Sequence, residues 1–205
     1  MGSTIRGTRR ALVLVLCIAG CLLAPVVAQA SASSSWAVNG EVIGESPVAV
    51  QGEGQIGFKP QNLAGSISCN LATTGSIWND GASAKGSLES VTVSGCQSFM
   101  LGVCASPKIT ATNLSWAMDP SEGGQQKYVM LVQGVAFTLV CPEGGLKLTA
   151  SGGLLHPEVL EGEGGGSYLA FSNGSGPLQA SNGGEWYLQG NLPLAGVEGE
   201  AITLE

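Results

Sequence analysis

Four cysteines, Cys69, Cys96, Cys104 and Cys141, carry the most readable chemistry in this chain. Two more, Cys17 and Cys21, lie in an apolar leader. An even number in an exported chain points to disulfides before metal or redox catalysis. Four cysteines allow three pairings. The spacing between Cys96 and Cys104 suits a clasped loop, which leaves Cys69–Cys141 as a long-range staple. A staple closing so long a loop contributes roughly 3–4 kcal/mol in the chain-entropy model. Zinc is disfavoured, because there is no C-x-x-C pair and no histidine close by.

Catalytic chemistry has little to work with. The chain has one histidine, His156, followed by Pro157. A Ser-His-Asp relay would need a nucleophile and an acid brought to it by the fold, and no Gly-x-Ser-x-Gly elbow stands between a strand and a helix. Asp80 and Asp119 are the only aspartates. Paired glutamates for glycoside hydrolysis could arise from almost any sheet and leave no local mark. Glu158, Glu161 and Glu163 could approach a calcium ion, but calcium loops favour Asp and Asn on an ordered turn. Gly162 to Gly166 precede strand-like residues rather than a helix start, so they do not read as a phosphate loop. The expectation is a non-enzymatic protein with no catalytic residue, metal ligand or cofactor.

Binding chemistry is better represented. Trp36, Trp116 and Trp186 sit inside strand patterns and are expected in the core. Trp78 stands beside Asn79-Asp80-Gly81, a turn sequence, so Trp78, Asn79 and Asp80 are the candidate ligand-facing residues. Asn113-Leu114-Ser115 and Asn173-Gly174-Ser175 match the glycosylation sequon, which has a high chance frequency. If Cys96 and Cys104 pair, Gln97 to Val103 would be a preorganised loop of the kind protease inhibitors present.

The strands that carry these residues begin after an address. Arg6, Arg9 and Arg10 precede an uncharged apolar run from Ala11 to Ala28, and Ala28-Gln29-Ala30 supplies small residues at a cleavage site. Residues 1–30 therefore read as a cleaved signal peptide, and the mature chain as secreted or extracytoplasmic. Ile18-Ala19-Gly20-Cys21 offers a second processing route, in which lipidation of Cys21 anchors the protein at the cell surface. Thr8-Arg9-Arg10 loosely matches a twin-arginine signal. No later stretch reaches membrane-spanning length. The signal contains every arginine, so the remainder has five lysines against 15 acidic residues, a net charge of −10. Such a chain has no basic patch for nucleic acid or anionic lipid.

Beyond the signal the dominant period is two. Ile67, Cys69 and Leu71 alternate with Ser66, Ser68 and Asn70, and similar runs recur every 8–12 residues between Gly, Asn and Ser pairs. About twelve short strands imply an all-β, antiparallel β-sandwich or barrel. The expected domains are a main β domain over 31–157, a Gly/Glu-rich loop or linker over 158–167, and C-terminal strands over 168–205. Trp36-Ala37-Val38-Asn39-Gly40 near the start is echoed by Trp186-Tyr187-Leu188-Gln189-Gly190 near the end. Both read as strand, tight turn, strand. A C-terminal hairpin of this kind could fold back on its own sheet or self-associate with a neighbour's open edge.

The order Trp36-Ala37-Val38-Asn39-Gly40, Ile67-Ser68-Cys69, Gly95-Cys96 with Cys104, Leu114-Ser115-Trp116 and a late Cys141 resembles uncharacterised exported β-rich, cysteine-containing proteins of actinobacteria. The resemblance implies export and a disulfide-bearing β-fold, and carries no activity. The expected function is that of a non-enzymatic protein at or outside the cell surface: structural, adhesive or binding a protein or glycan partner. The alternative is a carbohydrate-binding module or glycan-active enzyme.

Overall fold

The computed structural model describes residues 34–205, apart from 62, 82, 101–103, 123–127, 153 and 163–164. The signal segment and Cys21 lie outside the described residues. Strands are β1 (Trp36–Val38), β2 (Glu41–Val42), β3 (Val48–Pro60), β4 (Ile67–Asp80), β5 (Ser83–Ser98), β6 (Lys108–Thr112), β7 (Trp116–Glu122), β8 (Tyr128–Gln133) and β9 (Ala136–Cys141). They continue with β10 (Leu146–Ser151), β11 (Leu154–Leu155), β12 (Glu158–Glu161), β13 (Ser167–Phe171), β14 (Leu178–Ala180), β15 (Glu185–Pro193), β16 (Ala195–Gly196) and β17 (Ile202–Leu204). The all-β antiparallel architecture is as the alternation implies. The strands number 17 among the described residues, however, and β3, β4 and β5 run 13, 14 and 16 residues rather than being short. Alternation persists through their Gly and Ser positions, so these residues do not break the strands.

The ladders trace a ring, β3–β4–β5–β7–β8–β12–β13–β15 and back to β3. The ring is partial, since β7 covers only Gly86–Leu88 of β5. β14 leaves β15 and leads through β10 and β9 to β6. This arm lays Phe137 edge-on against Phe58 and Trp116, at centroid distances of 5.1 and 5.2 Å. Aromatic edges meeting faces stabilise such contacts beyond simple burial. Trp36, Trp116 and Trp186 are all buried, as expected.

Two expectations about the C-terminal part need correction. Glu158–Glu161 is not linker but β12, paired with β13 from Glu158↔Ala170 to Glu161↔Ser167. The echo at Trp186 is not a hairpin. β15 continues through Gln189-Gly190, where Gly190 at φ 134° marks the place at which the strand hands over from β3 to β13. Both edges of β15 are occupied within the chain, so that segment is no free hairpin. The echo holds only at the N-terminus, where Asn39 and Gly40 at φ 53° and 81° turn β1 into β2.

The cysteine pairing also differs. Cys69 bonds Cys96, and Cys104 bonds Cys141. Ladder register is the cause. Ser68 faces Gln97 and Asn70 faces Ser94, so a bulge containing Gly95 and Cys96 lies opposite Cys69. Gly95 takes φ 57°, a conformation that glycine reaches without a Cβ clash. Lys108 faces Val140, so the chain entering β6 brings Cys104 past Cys141, with Cα atoms 5.1 Å apart. Cys96 is thus held in one hairpin and Cys104 at the start of another sheet edge. Two such bonds fit an extracellular protein.

Candidate functional site

The end of β4 carries the residues singled out as ligand-facing, and the fold separates them. Trp78, Asn79 and Asp80 are the last three residues of a strand, not a turn. Side chains alternate along it, so neighbours point to opposite faces. Trp78 is half-buried on the outer face, Asp80 is exposed, and Asn79 is buried.

Asn79 is a structural latch, which corrects its assignment as ligand-facing. Its Oδ1 accepts from the Trp36 backbone N–H at 2.8 Å. Its Nδ2 donates to the Trp36 and Ile43 carbonyls at 3.1 and 2.7 Å. Trp36 is completely buried, and its indole N–H donates to the Lys85 carbonyl. Asn79 therefore bonds the β1–β2–β17 sheet to the end of the large one. Buried polar groups need such partners, and an amide satisfies donors and acceptors together.

The outer face around Trp78 is built by cross-strand register. Trp78 stands opposite Lys85 of β5. The Lys85 ammonium lies 3.0 Å from Asp119 Oδ1 of β7. The second Asp119 oxygen accepts from the Gln133 Nε2 of β8, also at 3.0 Å. Lys85 and Asp119 remain 38% and 28% exposed, so the pair is reachable by a ligand. On the same face of β4, the Ser76 hydroxyl donates to Glu89 at 2.8 Å. The result is one indole face followed by an ammonium, a carboxylate and an amide. Such a row can stack on the apolar face of a ligand and hydrogen-bond its polar groups. Sequence reading missed Lys85, Asp119 and Gln133, because their only link to Trp78 is ladder register.

The other candidates do not join this face. His156 lies between β11 and β12, where its backbone N–H donates to the Ser175 carbonyl at 2.6 Å. Its Nε2 is buried without a hydrogen-bond partner among the described residues. Glu158 and Glu161 belong to β12, and Glu163 lies outside the described residues. No group of three or more His, Cys, Asp or Glu suited to a metal ion occurs among the described residues. The expected Cys96–Cys104 clasp does not form. Asn113 is exposed at φ 59°, and Asn173 Oδ1 accepts from Gln189. No helix among the described residues is long and apolar enough to cross a membrane.

A second polar group lies on β15. The Tyr187 hydroxyl donates to Glu185 Oε2 at 2.7 Å, and Gln179 donates to the other oxygen at 3.4 Å. The bond to Glu185 raises the Tyr187 pKa, because it favours the protonated phenol.

No family model, curated protein or solved structure matches the chain.

Proposed function

We propose that this protein is an exported, non-enzymatic binding module that works at or outside the cell surface, and that the Trp78 end of its outer sheet face contacts the partner. The observation that carries this reading is the row Trp78–Lys85–Asp119 with Gln133, an aromatic surface beside fixed hydrogen-bonding groups on four adjacent strands. The disulfides and the leader residues 1–30 support the location. Acylation of Cys21 is the variant in which the module is tethered rather than released.

Co-sedimentation of the exported chain with purified cell envelope tests the reading. Wild type is expected to be retained. Trp78→Ala is expected to lose about tenfold in apparent affinity, the effect of removing one stacked aromatic, while it still melts in one cooperative transition above the assay temperature. Equal retention of both proteins refutes the assignment of this face.

The second reading, a carbohydrate-binding module or glycan-active enzyme, is favoured by the same indole. Its binding half is the better supported. Asp119 uses one oxygen on Lys85 and the other on Gln133, which suits an orienting acceptor better than an acid or nucleophile.

A further inference from the structure

The opposite end of the outer face holds a second aromatic arrangement. On β15, Tyr187 stands opposite Lys59 of β3. One residue beyond the Phe58↔Ile67↔Ser98 row, the Phe99 N–H donates to the Ser66 carbonyl. Continuing those registers by one residue lines up Tyr187, Lys59, Ser66 and Phe99, the last two just beyond the ends of β4 and β5. The next outward row is Gln189–Gly57–Ser68–Gln97. Three interstrand spacings place the two aromatics roughly 14 Å apart.

Lys59 stands beside Tyr187 within the first row, and the surface drops next to it, at Ser66 and in the neighbouring row at Gly57 and Ser68. Gly57 has no side chain there, and Ser66 and Ser68 have short ones. Phe99 is 62% exposed although it is large and apolar. Tyr187 is half-buried, and its hydroxyl is fixed on Glu185. Gln189 is held by Asn173 at 2.7 Å. Lys59 and Glu185 carry opposite charges, so the trough has little net charge.

We infer that this trough is a binding site for a neutral, linear glycan, laid across the strands from Tyr187 to Phe99. The inference rests on reading the outer sheet face as a binding surface. Sugar rings present apolar C–H faces and a rim of hydroxyls. Two separated aromatic surfaces suit the faces, and the Ser hydroxyls, Gln amides and Lys59 suit the rim. A protein interface instead gathers its apolar residues into one desolvated core. Here Lys59 and Ser66 stand between the rings. Nucleic acid would require a cluster of cations, and Lys59 is the only one in these two rows.

Isothermal titration of the exported chain with chitohexaose, cellohexaose and xylohexaose tests the site. At least one is expected to bind. Phe99→Ala and Tyr187→Ala should each weaken that binding about tenfold. Tyr187→Phe keeps the ring and should retain most of it. Gly57→Val should abolish binding by filling the floor. The backbone accommodates its Cβ, whose nearest neighbour would be the Gln189 carbonyl oxygen at 3.5 Å. Thermal melts of all variants serve as the folding control. The inference is overturned if no probe binds wild type, or if binding survives Gly57→Val and both ring deletions. Loss of oligosaccharide binding on Trp78→Ala alone would also overturn it, while leaving the Trp78 assignment intact. Conversely, envelope retention unaffected by Trp78→Ala, together with trough-dependent titration, would remove only the Trp78 assignment.

Discussion

Asn79→Ala separates a structural amide from a ligand-binding one. In the folded protein the Asn79 side chain makes three hydrogen bonds, to Trp36 N, Trp36 O and Ile43 O. Alanine removes all three without offering water an easy route, since Asn79 is only 3% exposed. The Trp36 carbonyl keeps the Ile43 N–H at 3.0 Å. The Trp36 N–H and the Ile43 carbonyl lose the partner that Asn79 supplies. An unsatisfied buried polar group costs about 1–3 kcal/mol, so two such groups, one of them only partly buried, cost about 3 kcal/mol together. That is a large share of the roughly 5–15 kcal/mol by which a domain is stable. For a chain of this size it corresponds to a fall in melting temperature of about 6–12 °C. Asn79→Asp should be at least as damaging. It keeps an acceptor for Trp36 N–H but turns a carboxylate oxygen toward two carbonyls. Urea titration with the disulfides intact, followed by tryptophan fluorescence, gives the free energy directly. A loss below about 1 kcal/mol for Asn79→Ala would refute the latch, and with it the reason for moving Asn79 from the binding surface to the scaffold.

Non-reducing peptide mapping should recover Cys69 linked to Cys96 and Cys104 linked to Cys141; a Cys96–Cys104 peptide would contradict the β4–β5 register. Replacing either pair by serines should cost about 4 kcal/mol, because the loops span 27 and 37 residues and loop length enters only logarithmically. Deleting residues 185–205 should unfold the whole domain, as judged by circular dichroism, because β15 pairs with β3, β13 and β14. A folded remainder over 36–157 would show that the ring does not need closure. Lys85→Met should change stability by less than about 1 kcal/mol, since exposed ion pairs contribute little; a larger loss in a urea titration would make the row structural rather than ligand-directed.

Local pattern was a good guide where one residue type forces one outcome. The apolar alternation around Trp36, Trp116 and Trp186 points to the core, and all three are buried. Asn39-Gly40 marked a turn because both residues tolerate positive φ. Gln189-Gly190 carries the same amide-glycine signal, yet it continues a strand. Occupied neighbours on both sides of β15 hold that glycine in the sheet, and no local residue announces them. Asn79-Asp80 failed for a related reason. An Asn before Asp-Gly reads as turn chemistry, but the buried Trp36 N–H and two carbonyls give its amide more hydrogen bonds than a turn would.

The local pattern of residues carries the material of the fold: period-two alternation for strands, tryptophans for the core, and cysteines enough for two disulfides. These follow from backbone geometry and burial, which act within a few residues. Contacts across the fold settle which cysteines meet, which face Trp78 shares with Lys85, Asp119 and Gln133, and that Tyr187 and Phe99 stand in one row. Those outcomes depend on ladder register. A shift of one residue moves every side chain to the other face, and register is set by contacts between strands far apart in the chain.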